Sequence, residues 1–136
     1  MSEEVSKAAH TVFQLLNAAR FEEVASLLNE DVVFSDELTG GWLIGRDAVA
    51  GWLYDLAGGP VTDVNCTFEE LSSRWLVPGS LGLVVYEAVQ EYRVWNKPRS
   101  ERLVGLLLLQ WKGKDWEIVA YQLAPWRRAE PARLHL

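Results

Sequence analysis

The chain has 136 residues, of which 49% are hydrophobic and 24% charged, and its formal net charge is −6. These proportions exclude a disordered or collagen-like chain, and the length fits one domain. The scattered Lys and Arg residues argue against a nucleic-acid partner, because phosphate backbones are bound by clustered positive charge. The longest apolar run, Leu103 to Leu109, is far shorter than the roughly 20 residues of a membrane span, so no membrane partner is expected.

The N-terminus and the single cysteine bear on the cellular compartment. Ser2, Glu3 and Glu4 occupy positions where a secretory signal would carry basic residues. Cys66 has no second cysteine with which to form an internal disulfide, and a lone cysteine favours a reducing compartment. We therefore expect a cytoplasmic protein.

The first half of the chain has the pattern of three helices, with two short strands between the second helix and the third. Apolar residues from Val5 to Leu16 recur at three- and four-residue steps, which predicts one buried helix face. Further helices are predicted over 21–29 and 46–57. The intervening segments 31–36 and 42–44 contain the β-branched and aromatic residues that are typical of strands.

The second half of the chain has the pattern of strands. We predict them over 61–76, 81–95, 100–112 and 115–124, and the short connections between them imply an antiparallel meander. The last segment, 126–136, has no clear period. We therefore expect a single domain over residues 1–125 followed by a C-terminal tail.

The predicted strand around Leu103 to Leu109 is apolar on both of its alternating faces. A strand with one face in water alternates apolar and polar residues, so both faces of this strand must be covered. The helices can cover one face, and a second subunit can cover the other. We predict a homodimer formed through the sheet.

Four stretches together resemble a known superfamily. Residues 15–23 look like its corner between two helices, 27–36 like its helix followed by a strand, 45–49 like the opening of its third helix, and 116–121 like its last strand. In this order they resemble the nuclear transport factor 2-like superfamily, which includes ketosteroid isomerases, SnoaL-like polyketide cyclases, limonene epoxide hydrolases and scytalone dehydratases. The resemblance implies an α+β fold with a cone-shaped curved antiparallel sheet wrapped around three N-terminal helices, enclosing an apolar pocket.

Asp36 is the candidate catalytic residue. By the resemblance, it lies just after the first strand, where ketosteroid isomerases hold their carboxylate base. A carboxylate at the mouth of an apolar pocket can have a raised pKa and can transfer a proton. The alternative interpretation is a solvated acid at a strand end beside Glu37.

The resemblance does not extend to the rest of the isomerase site. Val12 and Leu107 align with the tyrosine and the protonated acid that stabilise the oxyanion in that family, and neither can donate a hydrogen bond. Leu123 lies near the position of an acid that epoxide hydrolases require. Steroid isomerisation and epoxide hydrolysis are therefore not expected, while cyclase-like proton transfer by Asp36 stays open.

The second long strand offers two alternative sets of pocket residues. An even-residue hairpin loop after this strand turns Tyr86, Gln90 and Tyr92 toward the pocket. A shift of one residue turns Glu87 and Glu91 inward instead, as paired carboxylates. We favour the first register, in which the two glutamates form outward ion pairs of little energetic weight.

The chain has seven tryptophans, which is many for its length. Trp42, Trp52 and Trp111 are candidate pocket walls, because flat aromatic rings suit a ring-shaped or polyketide-like ligand. Packing in the core or at the dimer interface explains these residues equally well. Trp126 is expected to lie outside the pocket.

These patterns lead to two alternative functions. We predict binding of a small apolar, ring-shaped or polyketide-like molecule, with Asp36 as the group for a SnoaL-like proton transfer; the alternative is a non-catalytic dimerisation or protein-interaction module with a filled pocket. No metal or cofactor is implied, since two distant His and one Cys give no zinc spacing and no Gly-rich phosphate loop precedes a helix. The residues expected to contact the ligand are Phe13, Leu16, Phe34, Trp42, Trp52, Tyr86, Gln90, Tyr92, Leu107 and Tyr121.

Overall fold

A computed structural model describes residues 2–125, in which three helices and six strands follow one another in the expected order. None of these helices has the length and apolar character needed to cross a bilayer. The predicted tail, 126–136, and the prediction for Trp126 lie outside the described residues. The elements are α1 (Ser2–Asn17), α2 (Phe21–Ser26), β1 (Leu28–Ser35), β2 (Leu43–Ile44), α3 (Arg46–Gly58), β3 (Val61–Val77), β4 (Leu81–Val94), β5 (Lys97–Trp111) and β6 (Trp116–Pro125).

The six strands form one sheet in the order β2-β1-β6-β5-β4-β3. The run from β3 to β6 is the antiparallel meander that the sequence predicts. β1, however, pairs with β6 in parallel, so the sheet is mixed rather than wholly antiparallel. β1 and β6 are far apart in the chain and are connected through α3 and the other long strands rather than by a hairpin. A hairpin connection would force an antiparallel pair, whereas this long connection allows a parallel one.

β1 begins at Leu28 rather than at Asp31, and α2 ends at Ser26, so the last turn predicted for the second helix is wrong. Leu28 is fully buried and pairs with Ile118 of β6. Its carbonyl oxygen accepts a hydrogen bond from Arg46 Nε at 3.0 Å. Pairing with a distant strand therefore overrides the local helical pattern of this segment.

One face of the sheet, here called the inner face, packs against α1, which contacts β3, β4 and β5. Gly82 of β4 permits this close approach, because a Cβ there would lie 2.7 Å from a methyl carbon of Val5. The end of α1 is bonded to β3 by Asn17, whose Nδ2 donates to the Cys66 carbonyl oxygen at 2.8 Å. The Asn17 Oδ1 accepts the Cys66 N–H, also at 2.8 Å. These contacts fix the helix inside the curved sheet.

The hairpin between β4 and β5 determines which side chains of β4 face inward. Its loop consists of Trp95 and Asn96, with φ angles of 50° and 65°. Positive φ at both central residues is typical of the type I′ turn, which matches the twist of the paired strands. This even loop places Gln90 on the inner face and turns Glu87 and Glu91 to the outer face, as the favoured register predicts.

Candidate functional site

A pocket lies on the inner face, between the end of α1, α3 and four of the strands. Its free volume is about 40 Å³. A cavity that binds benzene has about 150 Å³, so a ring can enter only if side chains at the rim move. The lining consists of Leu16, Asn17, Phe21, Phe34, Asp36, Leu38, Trp52, Leu53, Leu56, Val64, Cys66, Phe68, Gln90 and Tyr121.

Several of the predicted ligand-contacting residues line this pocket. The flat side of the pocket is formed by Phe34 and Tyr121, whose rings stack with centroids 4.4 Å apart and planes 12° apart. Trp52 meets Phe34 at a centroid distance of 5.4 Å. Pairing between β1 and β6 brings Phe34 and Tyr121 side by side. The predicted residues that line the pocket are Leu16, Phe34, Asp36, Trp52, Gln90 and Tyr121.

Three predicted ligand contacts lie in the packed layer beneath the pocket instead. Phe13 stacks on Phe68 with ring centroids 3.6 Å apart and meets Tyr86 edge-on. Leu107 is fully buried on β5. The Tyr86 ring covers Gly105, where a Cβ would lie 2.7 Å from that ring. These side chains point inward, but α1 and the sheet fill the space around them. Contrary to the expectation, none of the three lines the pocket.

Two further predicted ligand contacts do not line the pocket. Tyr92 is buried on β4, and its hydroxyl donates to Glu101 Oε1 at 2.6 Å, so its polar end is engaged elsewhere. Trp42 precedes β2 and is 54% exposed. The sequence could not distinguish these positions, because alternation along a strand indicates only which way a side chain points.

Several residues that line the pocket were not predicted from the sequence. Val64, Cys66 and Phe68 alternate along β3, a period of two that locates them on the inner face once the strand register is known. Leu53 is a buried residue of α3, a helix that the sequence predicts without assigning this side chain to the pocket. Asn17 carries no comparable pattern, because its partner is the backbone of a strand far along the chain. The remaining missed residues are Phe21, Leu38 and Leu56.

Asp36 faces the pocket because it continues the alternation of β1, in which Val32 and Phe34 are also buried. Its Oδ1 accepts the N–H of Leu38 at 2.5 Å, which closes a tight turn directly after the strand. The hydroxyl of Thr39 accepts the Asp36 N–H at 3.1 Å and donates to the Asp36 carbonyl oxygen at 2.9 Å. The carboxyl group is therefore held in place by its own turn.

Burial raises the pKa of the Asp36 carboxyl from its ordinary value of 3.8 to about 6. The negative charges of Glu37 and Glu101 add to this rise, while the Leu38 N–H and the Gln90 amide oppose it. Such a group is ionised at neutral pH and accepts a proton more readily than an exposed aspartate does. This is the behaviour required of a general base.

Gln90 lies beside Asp36 and is 3% exposed. Its side-chain amide donates to the Asp36 carboxylate, whereas its Oε1 has no hydrogen-bond partner among the described residues. A buried acceptor without a partner is rare and costly in a native protein. Gln90 is therefore the polar feature of the pocket that most needs an explanation.

The other ionisable groups of the pocket stay protonated at neutral pH. Burial raises the pKa of Tyr121 and of its hydrogen-bond partner Tyr86 well above 10. The Tyr86 hydroxyl also lies 3.4 Å from the Gln122 carbonyl oxygen. Burial raises the pKa of the Cys66 thiol to about 12, so this cysteine is not a thiolate nucleophile. Among the described ionisable groups of the pocket, the Asp36 carboxyl is therefore the one that is ionised at neutral pH.

No model of a known protein family matches the sequence, and neither does any curated protein. Solved structures do match. A ketosteroid isomerase-like protein from Erwinia carotovora has a TM-score of 0.78 and 15% identity, over 94% of this chain and 100% of that chain. A protein from Xanthomonas campestris that is similar to the association domain of calcium/calmodulin-dependent protein kinase II has a TM-score of 0.76 and 12% identity, over 93% and 88% of the two chains.

A scytalone dehydratase-like protein from Novosphingobium aromaticivorans also matches, with a TM-score of 0.73 and 17% identity, over 90% of this chain and 82% of that chain. The chain has the nuclear transport factor 2-like fold. This confirms the fold that the four sequence stretches imply. At these identities the likeness concerns the nuclear transport factor 2-like fold alone, and the side chains of the pocket must carry any functional argument.

A second and larger cavity, about 490 Å³, lies between α1, the end of α2 and the hairpin of β5 and β6. Trp111, predicted as a wall of the central pocket, lines this cavity instead and packs against Trp116. Among the acids there, Glu117 is engaged by Asn29 at 2.9 Å and by Lys112 at 3.8 Å. Among residues 2–125, the larger cavity has no buried carboxyl group comparable to that of Asp36, so its size alone does not make it the functional site.

The part of the chain that the structure describes contains no group of three or more His, Cys, Asp or Glu side chains placed to hold a metal ion.

The raised pKa of Asp36 predicts how the free energy of unfolding depends on pH. The native state binds the Asp36 proton more tightly than the unfolded chain does, so this contribution to stability is present below about pH 4 and is lost as pH rises toward 6. Asp36→Asn cannot ionise, and its amide oxygen can still accept the hydrogen bond from the Gln90 amide nitrogen. From pH 4 to pH 8, the variant should gain stability relative to the wild type, on the order of 3 kcal/mol.

Urea unfolding at pH 4, 5, 6 and 8 measures this difference. Glu37→Gln is the matched control, because it removes one negative charge at the adjacent position and leaves the buried carboxyl in place. The difference between wild type and Glu37→Gln should lack the large change predicted for Asp36→Asn. A constant difference between wild type and Asp36→Asn at all four pH values would contradict the raised pKa.

Proposed function

We propose that the central pocket binds a small apolar, ring-shaped or polyketide-like molecule and that Asp36 transfers a proton on it, a SnoaL-like cyclase or isomerase type of reaction. The observation that carries this proposal is a buried carboxyl group with a pKa of about 6 in the wall of an otherwise apolar pocket. An aspartate with a purely structural role gains nothing from burial in an apolar wall, because ionising the carboxyl there lowers the stability of the fold.

A ring-shaped ligand is supported by the shape of the walls. The stacked rings of Phe34 and Tyr121 present flat apolar surface, and Trp52 lies at an angle to them. Leu38 and Trp52 are only partly buried and belong to the turn after β1 and to α3, respectively. In the proposed complex these two side chains move outward, which enlarges the pocket for the ring while the buried floor stays fixed.

The proposed chemistry is a proton transfer without a cofactor. Ionised Asp36 takes a proton from a carbon next to a carbonyl group, negative charge develops on the carbonyl oxygen, and the proton returns at a second carbon or oxygen. Val12 and Leu107 offer no stabilising donor for this charge. Tyr121 lines the same pocket, but its hydroxyl is bonded to Tyr86, so no described side chain of the pocket is assigned as the donor for the developing oxyanion.

Proton transfer can be tested with 2-tetralone, a bicyclic ketone with an acidic C–H group. In deuterium oxide at neutral pH, the wild type should accelerate exchange of the hydrogens next to the carbonyl group, as followed by proton NMR. Asp36→Asn should lower the acceleration by about 100-fold or more, since general-base catalysis has this magnitude. Equal exchange with the wild type and the variant would dismiss Asp36 as the base.

A pair of Val→Phe variants tests whether the reaction occurs in the pocket. Val64 lines the pocket, so Val64→Phe should fill it and abolish the exchange. Val77 is 51% exposed at the end of β3, and Val77→Phe should keep the wild-type rate. Equal rates in the two variants would place the reaction outside the pocket.

The second candidate function is a non-catalytic dimerisation or protein-interaction module. Its support is the outer face of the sheet, where Val85, Val89 and Val104 are 36%, 37% and 37% exposed on the neighbouring strands β4 and β5. The likeness to a kinase association domain supports an assembly role for the fold. We propose that this face forms a homodimer, which is compatible with either candidate function.

Light scattering at micromolar concentration tests the dimer. The wild type should have twice the chain mass of 15.4 kDa. Val85→Glu places a charge at the centre of the outer face and should yield a folded monomer. Tyr54→Glu, at an 81% exposed position on α3, is the control and should stay dimeric. A monomeric wild type would contradict the proposed interface.

A further inference from the structure

We propose that the molecule bound in the central pocket carries a neutral hydroxyl or N–H group that donates a hydrogen bond to Gln90 Oε1. This inference rests on the proposed function and names the polar group that the ligand must present. It starts from the position of Gln90, which is buried on the inner face of β4 and lines the pocket together with Asp36.

The orientation of the Gln90 amide follows from its neighbour. An ionised carboxylate only accepts hydrogen bonds, so the amide nitrogen of Gln90 must face Asp36. Rotating the amide would set Oε1 against the carboxylate and would exchange a charge-assisted hydrogen bond for a repulsion. Ionised Asp36 therefore fixes Gln90 with its Oε1 directed away from the carboxylate.

The donors around Gln90 are already engaged within the described part of the chain. The Leu38 N–H bonds to Asp36, and the Cys66 N–H on the neighbouring strand bonds to Asn17. The Tyr121 hydroxyl has Tyr86 as its partner. Gln90 Oε1 consequently has no hydrogen-bond partner among residues 2–125. A ligand that supplies a donor removes the cost of this buried acceptor, whereas a ligand without one leaves it in place.

The charge around Asp36 restricts the ligand further. Glu37 and Glu101 lie close enough to raise the pKa of Asp36, and Glu101 is directly opposite Gln90 on β5. An anionic ligand would meet these acids without a compensating cation from residues 2–125, because no Lys or Arg of that described range lines the pocket. The chemistry therefore favours an apolar ring with one hydroxyl or N–H group at the Asp36 end, and it disfavours carboxylates and phosphates.

Three matched probes test the inference, namely 2-naphthol, 2-methoxynaphthalene and naphthalene. The first can donate a hydrogen bond, the second has the same oxygen without a donor, and the third has neither. Ligand-observed NMR titrations at pH 7.5 give the three dissociation constants. The wild type should bind 2-naphthol about tenfold more tightly than 2-methoxynaphthalene, the ratio expected from one satisfied buried acceptor.

Two variants assign this preference to Gln90. Gln90→Leu has a similar volume but no acceptor, so its two dissociation constants should become equal. Gln122→Leu makes the same substitution on the outer face of β6, where Gln122 pairs with Leu106 and does not line the pocket. This variant should keep the wild-type preference. Should Gln90→Leu fail to fold, the side-chain amide resonances of Gln90 in the wild type give the same information, since 2-naphthol should shift them more than 2-methoxynaphthalene does.

The outcomes separate this inference from the proposed function. If none of the probes binds the wild type, the proposed function and the inference fail together. If all three bind with equal affinity, the pocket takes rings but Gln90 Oε1 does not select them, and the inference alone is overturned. A preference for 2-naphthol that persists in Gln90→Leu also overturns the inference, because the ligand hydroxyl then donates elsewhere.

Discussion

The contact between Asp36 and Gln90 joins the two sides of the curved sheet. Asp36 ends β1 and Gln90 lies on β4, and the sheet order places β6 and β5 between these strands. Their side chains can meet only because the sheet curls around the pocket. The contact has a free-energy cost, since it holds an ionised carboxylate in an apolar surrounding and leaves one amide oxygen without a partner. These two costs are the basis on which a ligand is proposed for the pocket.

The rest of the fold supports this contact from outside the pocket. Asn17 bonds the end of α1 to the backbone of Cys66, and so fixes the strand that lies beside Gln90. Because Gly105 has no side chain, the Tyr86 ring can pack directly against its backbone. The Tyr86 hydroxyl lies next to that of Tyr121. Rigid packing beneath the pocket and partly buried side chains at its rim are consistent with a floor that stays fixed while the rim admits a ligand.

Local patterns were sufficient to predict much of the fold. The three-and-four spacing of α1 and the short loops of the meander depend on residues close together in the sequence, and the α+β fold was predicted from them and from the resemblance. The resemblance was sufficient to locate Asp36 at the end of the first strand, and the favoured register after β4, which has an even loop, was sufficient to predict which way Gln90 points.

Features that depend on distant residues could not be predicted in this way. The parallel pairing of β1 with β6, the early start of β1 at Leu28 and the bonds of Asn17 all join segments that lie far apart in the chain. Neither Trp42 nor Trp111 lines the central pocket, because a tryptophan is equally suited to a pocket wall, a cluster at another site or a partly exposed position. Composition alone does not choose among these environments.

The central claim is that Asp36 is a buried carboxyl group with a raised pKa in the wall of an apolar pocket. Carbon-13 NMR of the protein labelled at its aspartate carboxyl carbons tests this claim most directly, with Asp36→Asn assigning the resonance. We expect the Asp36 carboxyl to titrate with a midpoint near pH 6. A midpoint near the ordinary value of 3.8 would show a solvated acid at a strand end and would contradict the account.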